Sequence, residues 1–204
     1  MATRIPDQAS RIRKAPRQAR ARATIEAILD ATARILGERG WAKLTTNAVA
    51  EVAGVSIGSL YQYFPNKAAL IEAVRHRHLE DVLAVLQAAA DETRAHGDRI
   101  AALVDGMIAV HSRYPSAHRV LLDSPRAGDA RHKQDAIDLV LREAYEAVVR
   151  VNVKRDTDLS IAAQVLAGAL AGAVHGAAQA RLLGSLAFRL EMVALIGAHL
   201  TESR

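Results

Sequence analysis

The stretch from Thr45 to Lys67, TTNAVAEVAGVSIGSLYQYFPNK, constrains the fold of this chain more than any other part of it. Thr46 has the character of a helix N-cap, and Val49, Val52 and Ala53 follow at the three- and four-residue spacing that makes one apolar face. That pattern predicts a short helix of about two turns. Gly54 stops it, because glycine enters the left-handed conformation at a helix end without a Cβ penalty, and Val55 tucks beneath the corner. Ser56 is a second N-cap residue. It opens a segment in which Leu60 and Phe64 point one way, while Ile57, Ser59, Tyr61, Gln62 and Tyr63 are left to other faces. Pro65 closes that segment. Two short helices joined by a glycine-containing turn make a helix-turn-helix.

In such a unit the second helix enters the major groove of DNA, and Gly58 near its start lets backbone approach the duplex closely. The run resembles the DNA-binding signature of the TetR family of bacterial transcriptional regulators. The Thr45-Thr46 pair, Ala53-Gly54-Val55-Ser56, Gly58, Leu60-Tyr61, the aromatic pair Tyr63-Phe64 and Lys67 all fall at the family's spacing. The likeness covers Thr24 to about Leu70, and beyond it the family shares an all-helical layout. Tyr63 stands where histidine is common, and both side chains donate to a phosphate. The resemblance implies that Thr45, Thr46, Tyr63 and Lys67 fix phosphates, while Asn47, Ile57, Ser59, Tyr61 and Gln62 face base edges and Ser56 caps. An ordinary helical hairpin with Val49, Leu60 and Phe64 as core leaves the cluster of Tyr61, Gln62, Tyr63 and Lys67 unexplained.

The net charge of +5 is unevenly distributed. Residues 1–22 carry Arg4, Arg11, Arg13, Lys14, Arg17, Arg20 and Arg22 against Asp7 alone, so they hold +6 and the remainder sums to −1. This arm lacks the apolar content to order itself; it either tracks phosphates beside the reading helix or is a solvated tail. Cysteine is absent, which removes disulfides, thiol redox chemistry and Cys-ligated metal sites. No early apolar run has the length of a signal peptide, and the small-residue run from Leu159 to Leu183 is interrupted by Gln164, His175, Gln179 and Arg181. A soluble, cytoplasmic protein without a membrane span is expected.

Before the helix-turn-helix, Ile25, Ile28, Leu29, Ile35 and Leu36 repeat with helical period from Thr24 to Arg39, and Gly40 ends the run. Trp41 and Leu44 close the corner as structural residues. After it, Asn66 caps a fourth helix of about 28 residues, roughly 42 Å long and ending near His96-Gly97. Leu70, Val74, Leu79, Val82, Leu83 and Leu86 carry its apolar stripe. Asp98 starts the next helix, which Tyr114-Pro115 breaks; a short helix, Ser116 to Asp123, and a loop, Ser124 to Asp129, follow. A further helix reaches about Val153, and the last two run from about Leu159 to Leu183 and Leu186 to Leu200.

The expected fold is therefore all-α: a basic arm over 1–22, a three-helix head with the helix-turn-helix over 23–67, and a helical bundle over 68–204 for ligand binding and dimerisation. The Ala- and Gly-rich helix from Leu159, with Gly168, Gly172 and Gly176, lets helix axes approach closely, either inside one subunit or across a subunit interface. The resemblance implies the second, a homodimer through helices 159–183 and 186–200. It also implies an effector that enters the bundle, tilts the fourth helix and releases double-stranded operator DNA.

Of seven aromatic residues, Trp41, Tyr61, Tyr63 and Phe64 belong to the head, which leaves Tyr114, Tyr145 and Phe188 for the rest. A stacked aromatic cage is not expected, so the effector is small, aliphatic or weakly aromatic, with Met107, His111, Tyr114, His118, Tyr145 and His175 as candidate contacts. Glu72, His76 and Glu80 share a helix face but read as a solvated, ion-paired surface beside Arg75, Arg77 and Asp81, so no metal site is assigned. No cofactor is expected. Nor is an enzyme: there is no Gly-rich phosphate loop, no G-x-S-x-G and no Cys nucleophile. The reading is a ligand-responsive transcriptional regulator, a repressor binding a near-palindromic operator as a dimer. The alternative is a sequence-indifferent DNA-compacting protein that uses the basic arm and has no effector.

Overall fold

The structure is a computed structural model that describes residues 19–113, 130–153 and 158–200, with side chains from 137 onward in the second segment. The arm before residue 19, Tyr114, His118, the expected short helix Ser116 to Asp123 and the loop Ser124 to Asp129 lie outside the described residues. Among the described residues there are eight α-helices and no strand. They are α1 Ala19–Arg39, α2 Thr46–Ala53, α3 Ile57–Tyr63, α4 Lys67–Ala89, α5 His96–Ser112, α6 Ala130–Asn152, α7 Leu159–Gln179 and α8 Leu186–Leu200. A 3₁₀ turn, Trp41–Lys43, links α1 to α2.

Two compact units divide within α4, between His78 and Leu79, rather than after residue 67. The first, residues 19–78, is built on α1, whose Ile25, Ile28, Leu29, Ile35 and Leu36 are all buried. Leu44, Val49, Leu60, Phe64, Leu70 and Val74 complete this core. Helix is present from the first described residue, Ala19, five residues before Thr24, and ARAR is a run of good helix formers. Arg20 and Arg22 therefore lie exposed on α1 rather than in a flexible arm. Arg77 of α4 reaches back to Glu26 and Asp30 of α1 at 2.9 and 2.8 Å, fixing the start of α4 against the same helix.

The second unit comprises residues 79–113, 130–153 and 158–200. Its core joins Val82 and Leu86 of α4, Leu103, Val104 and Met107 of α5, Val148 and Val149 of α6, and Leu166, Leu170 and Val174 of α7. Met192, Ile196 and Leu200 add the inner face of α8. The fourth helix is shorter than its sequence pattern predicts: it stops at Ala89, about 34 Å from its start. Asp91 Oδ1 accepts from both the backbone N–H and the hydroxyl of Thr93, at 3.0 and 2.6 Å, and this local turn replaces the helical bonds. Consequently α5 begins at His96, not Asp98. Buried Asn152 ties the corner together, accepting from Arg99 Nε at 2.9 Å and donating to the carbonyls of Val148 and Ala89 at 2.8 and 3.3 Å. Gly106 admits α4 closely, since a Cβ there would lie 2.6 Å from Val85 Cγ1.

The seventh helix ends at Gln179 rather than Leu183. Arg181 takes the left-handed conformation, φ 59°, and the Leu182 N–H bonds the Ala177 carbonyl at 2.8 Å, closing the helix without glycine. By length and composition α7 is apolar enough to cross a membrane, with a mean hydropathy of 1.5. Its Ala162, Ala163, Leu166, Leu170, Val174 and Ala177 face the core of the unit.

Candidate nucleic-acid interface

Local capping chemistry builds the helix-turn-helix. The cap of α2 is Thr45, one residue before the expected Thr46: its hydroxyl accepts from the Ala48 N–H at 3.1 Å. Thr46 becomes the first helical residue, and its hydroxyl meets the Tyr61 hydroxyl of α3 at 3.1 Å. Gly54 closes α2 in the left-handed region, φ 67°, with the Val55 N–H bonding the Ala50 carbonyl at 3.0 Å. Ser56 caps α3 as expected, accepting from the Ser59 N–H at 3.0 Å while the two hydroxyls bond at 2.8 Å.

The residues of α3 then separate cleanly. Leu60, Tyr63 and Phe64 enter the core, whereas Ile57 and Tyr61 are each 39% exposed and Gly58 and Gln62 lie open beside them. Tyr63, expected on another face as a phosphate donor, is 9% exposed and packs in the head core. Its ring is amphipathic, so the aromatic position serves packing first. Asn47 and Thr45 are exposed on α2, and Ser59 is half-buried by its bonds to Ser56.

Lys67 is also engaged within the chain. Its ammonium donates to the Trp41 carbonyl at 2.5 Å and lies 4.0 Å from the centre of the Trp41 ring. This cation–π contact pins the 3₁₀ turn to the start of α4, and burial lowers the Lys67 pKa from its ordinary value. Asn66 supplies the cap of α4 as expected, accepting from the Ala69 N–H at 2.9 Å. No short sequence signal exposes the Lys67–Trp41 contact, because the partners are separated by the whole helix-turn-helix.

Of the candidate effector contacts, Met107, His111, Tyr145 and His175 are described, and all belong to the second unit. His111 donates from Nδ1 to the Met107 carbonyl at 2.8 Å and meets His175 edge to face, with ring centroids 5.6 Å apart. Burial lowers the pKa of both imidazoles, and the second ring lowers that of His111 further. Both are therefore neutral near pH 7. Burial pushes the Tyr145 phenol up to about 12, so it keeps its proton. The face of α4 read as a solvated, ion-paired surface does hold a pair, Arg75 with Glu72, but those two side chains are mostly buried rather than solvated.

A left-handed glycine between two capped short helices, with one exposed polar-aromatic face on the second, defines a DNA-binding helix-turn-helix unit joined to an all-helical unit. Residues 28–74 match the family described as bacterial regulatory proteins, tetR family. This stretch, the helix-turn-helix with the helices on either side of it, is thus of the type found in TetR-family bacterial transcriptional regulators. Among curated relatives, the chain is 30% identical to the HTH-type transcriptional repressor KstR of Mycolicibacterium smegmatis over 57% of this chain and 60% of that protein. The chain thus spans less than two thirds of the length of the curated relatives it matches. Its fold is similar to that of the fatty acid degradation regulator FadR from Bacillus halodurans, with TM-score 0.67 and 15% identity over 89% of this chain and 96% of that one. It is also similar to SmeT, the repressor of the Stenotrophomonas maltophilia multidrug efflux pump SmeDEF, with TM-score 0.64 and 23% identity over 87% and 90%. These relatives are regulators rather than enzymes.

Proposed function

We propose that this chain is a dimeric transcriptional repressor that binds a near-palindromic operator and is released by a small, largely apolar effector. The observation that carries the reading is the exposed face of α3, where Ile57, Gly58, Tyr61 and Gln62 stand outside the core that Leu60 and Phe64 anchor. Among the described residues, a Cβ on Gly58 would meet nothing nearer than Ser56 Oγ at 3.8 Å, so none of them requires glycine there. Close approach of a duplex supplies a reason. Asn47, Ile57, Ser59, Tyr61 and Gln62 face base edges in this arrangement, while Thr45 and Thr46 hold phosphates. Tyr63 and Lys67 act chiefly by shaping the corner, with the Lys67 charge contributing to the field around it.

Dimerisation is supported by the outer faces of α7 and α8. Ile161, Val165, Leu186, Leu190 and Leu195 are each more than half exposed. Gly168, Gly172 and Gly176 align beside them with nothing within 4 Å of an added Cβ. A dimer that reads a near-palindrome must present its reading helices about one DNA turn, roughly 34 Å, apart, or a multiple of it. Met107, His111, Tyr145 and His175 offer neutral hydrogen-bonding groups in apolar surroundings, which suits an uncharged effector. SmeT forms a complex with triclosan, a precedent in the same fold for such a ligand. The effector acts by binding the DNA-free conformation better than the DNA-bound one.

The test is a selection of bound fragments from the source genome at about 150 mM salt, sequenced and searched for a shared inverted repeat. One near-palindromic site is the expected result. Recovery of fragments in proportion to their abundance refutes the reading and leaves a sequence-indifferent binder.

A further inference from the structure

We infer that Ile57 reads the 5-methyl group of a thymine in each operator half-site, and so fixes one T·A pair of the recognised sequence. The inference rests on the specific-regulator reading above and deepens it. Leu60, Tyr63 and the closing Phe64 are buried, but Ile57 is 39% exposed. A single exposed isoleucine on an arbitrary surface needs no explanation. This one occupies the first position of the second helix of a helix-turn-helix, the end whose residues reach base edges. Its neighbour Gly58 leaves the surrounding space open, and the Ser56–Ser59 bonds fix the rotation of this end of the helix.

Tyr61, one turn on, lies on the same side of α3, with its hydroxyl held by Thr46. The face therefore offers an aliphatic group beside a phenol, a glycine and the Gln62 amide. A β-branched side chain weakens a short helix slightly, and the part of Ile57 left exposed gains nothing from the fold, so a complex supplies its further gain. In the major groove the apolar group is the thymine C5-methyl, and an aliphatic side chain accepts no hydrogen bond that would favour another base.

Replacing dT by dU removes that methyl group and leaves base pairing intact, so the test needs no structural change in the DNA. The duplex recovered in the genomic selection is synthesised with single dT-to-dU substitutions, and Kd is measured for the full chain and for Ile57→Ala. One position, repeated in the two half-sites, is expected to weaken wild-type binding by roughly fourfold, the worth of one buried methyl group. Ile57→Ala is expected to bind the dT and dU duplexes equally. Its folding is checked by circular dichroism, and alanine is the stronger helix former. If no dU position weakens the wild type, or if the sensitive position stays sensitive in Ile57→Ala, the thymine assignment is overturned while the regulator reading stands. Equal binding to the recovered and a scrambled duplex overturns both.

Discussion

At the scale of single residues, hydroxyl chemistry decides how the reading face is held. Thr45 and Thr46 are identical in type, yet one caps α2 and the other bonds across to Tyr61. The bond to Tyr61 holds the hydroxyl end of a partly exposed side chain. Thr46→Val keeps the shape and removes the hydroxyl, so binding to the operator should weaken roughly fivefold and discrimination at the Tyr61 step should relax, whereas Thr46→Ser should restore both. Competition binding against operators varied base by base checks this; equal selectivity in Thr46→Val would show that Tyr61 needs no support. The same pair marks the limit of what sequence conveys. Gly54 and Ser56 were legible because their roles are local, a left-handed closure and a cap three residues from its donor. The assignment within Thr45-Thr46, and the turning of Lys67 onto Trp41, depend on contacts fifteen and twenty-six residues apart in the chain.

At the scale of elements, periodicity located the helices but not their ends. The run following Ala89 keeps helix-forming residues as far as Arg94, and the stop is set by an Asp91–Thr93 turn that carries no glycine or proline. The closure of α7 at left-handed Arg181 was hidden for the same reason. The apolar stripe of α1, by contrast, mapped directly onto its buried face, because burial follows spacing. Between α5 and α7, the His111–His175 contact couples packing to pH. His111 has an ordinary value of 6.5 and a lower one in the fold, so below about pH 6.5 the unfolded chain binds a proton that the folded chain resists. Stability is therefore greatest above that value and falls as pH drops through it. Melting temperatures at pH 7.5 and 5.5 should differ more for the wild type than for His111→Leu; an equal difference in both proteins would locate the titration elsewhere.

At the scale of the whole molecule, the decisive question is what covers the outer faces of α7 and α8. A membrane and a second copy of the chain both accept apolar surface, and composition alone does not separate them. Placement does: α7 turns one face into the core of its unit, carries Gln164, His175 and Gln179, and lies beside α8, which exposes its own leucines along with Glu191. Glycines spaced four apart, with empty space where a Cβ would sit, form a shallow track that fits another helix rather than lipid chains. Gly172→Leu isolates this role, because an added Cβ has no described neighbour within 4 Å and leucine is the better helix former. The variant should fold at least as stably as the wild type. It should nevertheless sediment as a monomer at micromolar concentrations where the wild type sediments as a dimer. Two half-sites on one duplex gain affinity because the dimer holds both heads together, so the variant should lose its preference for the full palindrome over a single half-site. A Gly172→Leu protein that remains dimeric would move the interface off this face of α7, and with it the spacing assigned to the two reading helices.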